Sequence, residues 1–215
     1  MSVVVVGAGS AAGRAVVDAL LASGHSVAAV DLRSPEIEGT SSYAVDATDH
    51  AAVDAVAAEL RAGGPVTGLV HLIGGWRGGK GFTDNSDADW DFLSSMLIDT
   101  LRHTTRAFHD DLVASQGRVV IVSAAAAGKP TAGNANYATA KAAAEAWMQA
   151  LAHSFGDSGA AAVTLVVKAL LTPQMREESP EKKFPGYTDV ADLGAAVAET
   201  VGGAHGNGER VVLGS

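Results

Sequence analysis

Short runs of valine, isoleucine and leucine recur along this chain, and between them lie longer alanine-rich stretches with apolar residues three and four apart. The first pattern belongs to strands covered on both faces, the second to amphipathic helices. The runs predict strands over Val3–Val6, Ser26–Asp31, Tyr43–Val45, Gly68–Ile73, Arg118–Ser123, Val163–Val167 and Arg210–Leu213. The stretches between them predict helices over Ala11–Ala22, His50–Arg61, Asp87–Val113, Tyr137–Phe155 and Asp189–Val201. Strand and helix in alternation predict a doubly wound α/β fold around a parallel sheet. No linker or repeat divides the chain, so residues 1–215 are expected to form a single domain. The segment Thr172–Thr188, TPQMREESPEKKFPGYT, fits neither pattern and holds three of the six prolines. It follows the C-terminal end of a strand, where open sheets place ligands, and is expected to act as a substrate lid.

Composition narrows the partners. The chain carries a net charge of −9 and no dense basic stretch. A nucleic-acid partner is not expected, because phosphate neutralisation needs clustered Lys and Arg. There are no cysteines, and the seven histidines fall into no ligand spacing, so no metal is expected. His71 lies where the strand meets the cofactor, but is expected to be a packed or solvated residue rather than part of the site, and Asp99, Arg102 and Arg106 to be helix-surface charges. The opening MSVVVVGAG has an apolar run too short for a signal peptide or a membrane helix. The expectation is a cytoplasmic protein with a small-molecule substrate and no membrane partner.

Glycine supplies the first candidate site. In VVVVGAGSAAGRAVV, Gly7, Gly9 and Gly13 lie between the first strand and the first helix, and Gly7 to Ala12 also reads as G-x-G-x-x-A. Glycines here let backbone approach a diphosphate, and the helix N-terminus offers it free N–H groups and positive dipole charge. Gly7, Gly9, Ser10, Ala11, Ala12 and Gly13 are therefore candidate dinucleotide contacts. Asp31, at the end of the second strand, has the spacing of an acid that accepts hydrogen bonds from the adenosine ribose. Its carboxylate repels a 2′-phosphate and so favours NAD(H), while Arg33 nearby leaves NADP(H) open. Asp46 and Ala47 follow the third strand. Asp46 suits the adenine amino group, although either it or Thr48 suits a helix cap equally well.

Tyr137 and Lys141, in NANYATAKAAAEAW, lie four apart on a predicted helix and share one face. A phenol with an ordinary pKa of ~10 is too basic to exchange protons near neutrality. An ammonium one turn away is expected to favour the phenolate and lower that value, making Tyr137 a proton donor to a carbonyl-type substrate.

With these residues in this order, the chain resembles the short-chain dehydrogenase/reductase family over essentially its whole length. The resemblance rests on the glycine turn, Asp31, Asp46, the strand before GG, the helix beginning DADWDFL, and YATAK. It implies a Rossmann-type seven-stranded parallel sheet flanked by helices, a nicotinamide cofactor, tyrosine as acid/base, and lysine on the nicotinamide ribose. Ile73, Gly74, Gly75, Ala169 and Thr172 then become cofactor contacts as well.

The departures from the family pattern are specific. HLIG, His71 to Gly74, replaces the usual Asn-Asn-Ala-Gly, and Leu97 stands at the helix asparagine. Ala124 occupies the usual serine position, with Ser123 one residue earlier, and Val167 and Lys168 replace a Pro-Gly pair. IGGWRGG and LTPQMREESPEKKF look like the dihydropteridine reductase branch, which lacks that serine, uses NADH and reduces planar quinonoid or imine compounds. In that branch Trp76 would stack on the substrate beside Ala124. Losing one donor to a developing oxyanion costs ~3 kcal/mol, and a quinonoid ring, which spreads the charge, needs it less. Ser123 remains a candidate for the catalytic serine if the loop is shifted by one residue. The resemblance also implies a homodimer or homotetramer through the long helices Asp87–Val113 and Tyr137–Phe155. Two functions stay open: an NAD(P)H-dependent oxidoreductase using Tyr137, Lys141 and Ser123, and a dinucleotide-binding redox sensor or scaffold without turnover.

Overall fold

A computed structural model describes residues 1–214. In chain order the elements are β1 (Ser2–Val6), α1 (Ala11–Ala22), β2 (Ser26–Asp31), β3 (Thr40–Ala44), α2 (His50–Gly63) and β4 (Val66–His71). Then come α3 (Asp87–Ser94), α4 (Thr100–Ser115), β5 (Arg118–Ala124), α5 (Ala135–Phe155), β6 (Ala161–Val167) and β7 (Leu170–Leu171). The chain continues through α6 (Pro173–Glu178), β8 (Thr188–Asp189), α7 (Val190–Val201) and β9 (Arg210–Val212). Seven strands form one sheet in the order β3-β2-β1-β4-β5-β6-β9, and every pairing in it is parallel. This is the Rossmann-type α/β architecture expected from the strand pattern.

Strand alternation divides the core into two layers. Val4 and Val6 face α2, α4 and α5, packing with Leu60, Phe108, Leu112 and Met148. Val3 and Val5 face the opposite way, toward Val16, Val17 and Leu20 of α1 and Leu193 and Val197 of α7. Both faces being covered accounts for the uninterrupted apolar runs; all seven residues of β6 are buried. Between β1 and β4 the order of connection reverses. A crevice therefore opens at the C-terminal ends of these two strands, where the glycine turn and residues 72–75 leave the sheet.

Several boundaries differ from expectation. The third strand begins at Thr40 and ends before Val45, whose amide instead donates to the Asp31 carbonyl. The fourth begins at Val66 and stops at His71, leaving Leu72 and Ile73 to turn over the crevice. The predicted helix Asp87–Val113 is interrupted by a π-turn, Ser95–Asp99, in which the Thr100 amide reaches back to the Ser95 carbonyl. The segment 172–188 is more ordered than a bare loop. It contains α6, and β7 and β8 pair at its two ends.

Candidate active site

The glycine turn is held by its own backbone. Gly7 has φ +88°, which disfavours a side chain, and a Cβ on Gly13 would overlap the Gly7 carbonyl oxygen. Ser10 caps α1: its Oγ accepts from the Gly13 amide at 2.9 Å and donates to the Gly7 carbonyl at 3.0 Å. The first helical amides, of Ala11 and Ala12, have no acceptor within the helix, which leaves them available to an anion at the helix N-terminus. Asp31 Oδ2 accepts from the Gly9 amide at 2.8 Å, and Oδ1 from the Leu32 amide at 2.7 Å. The carboxylate thus sits directly over the turn. Arg33 is exposed and forms no ion pair among the described residues. This cradle, in which added methyls would collide, fits the dinucleotide that the sequence implies.

Asp46 lies beyond β3, and its Oδ1 accepts from the Thr48 amide and hydroxyl. Those two bonds hold its pKa below the ordinary carboxylate value. Neither Asp46 nor Thr48 caps α2; Asp49 does, accepting from the Ala51 and Ala52 amides. The Asp46 carboxylate therefore remains exposed at the crevice end of the sheet, with buried Ala47 beside it.

Beyond the turn, a cleft of about 490 Å³ is lined by residues from several separate stretches of chain. Ala12, Ile73, Gly74, Gly75 and Trp76 line it together with Ser123, Ala124, Tyr137 and Lys141 and with Lys168 and Ala169. Trp76 is 61 % exposed, so its ring is not tucked into the core. Its loop is stapled to the start of α5: the Gly79 amide donates to the Gly133 carbonyl at 2.7 Å, and Asn85 Nδ2 to the Ala132 carbonyl at 2.8 Å. Asn136 completes the staple, its amide donating to Asn85 Oδ1 and its Nδ2 to the Ser86 carbonyl.

Tyr137 and Lys141 enter the same cleft from α5. Burial pushes the Tyr137 phenol above its usual pKa, and no hydrogen bond opposes that shift. The shift therefore runs opposite to the expected acidification. The reason is geometric: Lys141 Nζ lies 6.0 Å from the Tyr137 ring centroid and donates to the Val122 carbonyl at 2.8 Å. Burial lowers the Lys141 pKa to about 8, and the Glu145 carboxylate works against that drop.

Glu145 was missed in the sequence, although it lies one turn past Lys141 on the same helical face. Its Oε1 accepts from Ser123 Oγ at 2.6 Å, and its Oε2 from Arg210 Nε at 3.0 Å. Ser123 is 1 % exposed and has its only proton committed to Glu145, which opposes the expected catalytic part for it. Leu97 lies in the π-turn and is buried with Leu93, Ala140 and Tyr137, so an apolar wall stands at the family's asparagine position. Thr172 caps α6, accepting from the Met175 amide at 3.2 Å.

His71 is packed rather than solvated, buried between the Thr100 and Thr104 hydroxyls at 3.2 and 3.1 Å. Burial first, and the Lys141 charge second, lower its pKa to about 3, so it is a neutral packing residue. Asp99 pairs with Arg102 at 3.0 Å on the surface, and Arg106 is exposed. Among the described residues no cluster of His, Asp or Glu suits a metal, and no helix is long and apolar enough to cross a membrane.

A parallel sheet with a glycine turn, a carboxylate over it, and a Tyr–Lys pair in the adjoining cleft defines a dinucleotide-dependent oxidoreductase of the Rossmann type. The short chain dehydrogenase family model matches residues 1–183, and the chain belongs to that family, whose members use NAD(P)(H). Among solved structures it is similar to sorbitol-6-phosphate 2-dehydrogenase from Erwinia amylovora, with TM-score 0.86 and 20% identity over 99% of this chain and 97% of that one. It is also similar to an NADPH-bound short chain oxidoreductase with an atypical catalytic center from Pseudomonas aeruginosa PAO1, with TM-score 0.85 and 21% identity over 98% and 94%. At such identities these likenesses speak for the fold.

Proposed function

We propose that the chain is an NADH-preferring reductase of small planar quinonoid or imine compounds of the dihydropteridine type, or of simple carbonyl compounds. One observation carries this reading: Tyr137, Lys141 and the exposed Trp76 line a single cleft that continues to Ala12 at the head of α1. The bound dinucleotide supplies hydride chemistry. Gly7 to Gly13 hold its diphosphate, Asp31 its adenosine ribose, Asp46 and Ala47 its adenine, and Ile73 to Gly75, Ala169 and Thr172 its nicotinamide end. The Asp31 carboxylate supports NADH over NADPH, with Arg33 keeping NADPH as a second cofactor.

Tyr137 serves as the acid. Its raised pKa keeps the phenol protonated at neutral pH, the form a donor needs. Lys141, still cationic below about 8, holds the nicotinamide ribose and offsets the negative charge that Tyr137 acquires on giving up its proton. Trp76 offers a flat face to a ring, and Ala124 leaves room at the position where the family carries a serine. We assign residues 1–215 to one domain in which 172–188 covers the cleft. We also place a cytoplasmic homo-oligomer contact on α4 and α5, whose shared groove of about 390 Å³ is lined by Arg106, His109 and Trp147.

The commitment of Ser123 to Glu145 favours a second reading, dinucleotide binding without turnover. Incubating the protein with NADH and quinonoid dihydropterin, quinones or ketones separates the two. The reductase consumes NADH in a substrate-dependent way, and Tyr137→Phe slows it by roughly 10²-fold or more. NADH binding with no consumption across the panel supports the sensor instead.

A further inference from the structure

The protein is strongly acidic, with a net charge of −9, yet no Asp or Glu lines the cleft. Its two charged lining residues are Lys141 and Lys168, both cationic. Lys141 already has a use. Lys168 does not, and its environment is unusual for an exposed lysine. Its Nζ donates to the Pro185 carbonyl at 2.8 Å and lies 5.8 Å from the Tyr187 ring centroid. Among the described residues no carboxylate pairs with it within 4.0 Å. A neutral carbonyl and an aromatic face fix the ammonium in place without cancelling its charge.

Its position in the sheet separates it from the dinucleotide diphosphate. Lys168 follows β6, and the order β1-β4-β5-β6 puts three strand spacings, roughly 14 Å, between it and the glycine turn after β1. It stands instead on the side where β5 ends in Ala124 and where Tyr137 enters. An uncancelled cation inside a crevice of an acidic protein gathers field lines and draws anions to that place.

We propose that Lys168 reads an anionic substituent, a carboxylate or phosphate, on the substrate. The substrate class narrows to small anionic carbonyl, quinonoid or imine compounds, with the ring on Trp76 and the anion at the mouth of the 172–188 segment. This inference rests on the reductase reading but is tested by binding as well as by turnover.

Benzoate and benzamide share shape and differ in charge. Calorimetric titration into the NAD⁺ complex is expected to show benzoate binding at least tenfold more tightly. In Lys168→Gln, which keeps a donor for the Pro185 carbonyl, the preference should collapse, and in Lys168→Arg it should persist. NADH affinity, read by fluorescence, reports on folding and on the diphosphate site in each variant. Equal binding of benzoate and benzamide to the native protein overturns the proposal. So does a preference that survives Lys168→Gln, which would assign it to Lys141, or a parallel tenfold loss of NADH affinity, which would assign the lysine to the dinucleotide. The reductase reading is judged separately, by NADH consumption with phenylglyoxylate and with its ethyl ester. Absent turnover with both and with the quinonoid, quinone and ketone panel sinks that reading, while the benzoate comparison still decides the subsite.

Discussion

The two ends of the crevice are built on different physics. At the glycine turn the determinants are steric: Gly7 at φ +88°, Gly13 against the Gly7 carbonyl, and Ser10 closing the first helical turn. At the Tyr137 end they are electrostatic. Burial raises the Tyr137 phenol and lowers the Lys141 ammonium, and the Glu145 carboxylate, bonded to Ser123 and Arg210, opposes the fall at Lys141. The first end is specified by residue size and by short-range hydrogen bonds. The second depends on how much water each group loses and on what faces it, so the same residue types at the same spacing would titrate differently elsewhere.

Substitutions can break or sharpen that contrast. The largest effect is expected from Gly13→Val, whose side chain has no room against the backbone of Gly7 and Ala8. Urea unfolding should show a loss of roughly 3 kcal/mol or more, with NADH titration flat; an unmoved midpoint would mean that the turn yields. Asp31→Ala should narrow the preference for NADH over NADPH by about tenfold, corresponding to the loss of charge-assisted hydrogen bonds to a ribose. Equal NADH and NADPH affinities in the native protein would remove Asp31 as the selector.

The electrostatic end responds to pH. Lys141 titrates lower in the folded protein than in the unfolded chain, so unfolding takes up a proton between the two values. Its burden on stability is full below about 8 and eases as pH rises toward the unfolded value of ~10.4. Lys141→Met should therefore raise Tm at pH 7 by about 3 °C or more, with the gain shrinking by pH 10, while turnover is lost. A Tm that falls at pH 7 would show the ammonium to be stabilising. The smallest effect belongs to Glu145→Gln. Removing the charge that holds Lys141 up should move the alkaline limb of the rate profile to lower pH by less than ~1 unit. A limb that stays or moves upward rules Glu145 out as a tuning group.

Most of the sheet was legible because burial on both faces leaves a plain mark, as in VVVV and GLVHLI. The glycine turn and the Tyr137–Lys141 spacing were legible for a similar reason, since each is a local pattern. What escaped was nonlocal. Glu145 gains meaning only when β5 and β9 bring Ser123 and Arg210 to it, residues 22 and 65 positions away. The π-turn at Ser95–Asp99 hid inside a continuous helical pattern. The direction of the Tyr137 shift is not legible in the sequence, because helical spacing gives proximity but not burial, and burial raises the phenol.

The backbone staple between Gly79 and Gly133 bears on how this scaffold is altered. A methyl on Gly133 would run into the Gly79 carbonyl, and one on Gly78 would come within 2.7 Å of the Gly133 oxygen. The strip bearing Trp76 and the strip leading into Tyr137 are thus matched halves. A chimera that imports one without the other inherits a collision, so new specificities are reached by exchanging both together.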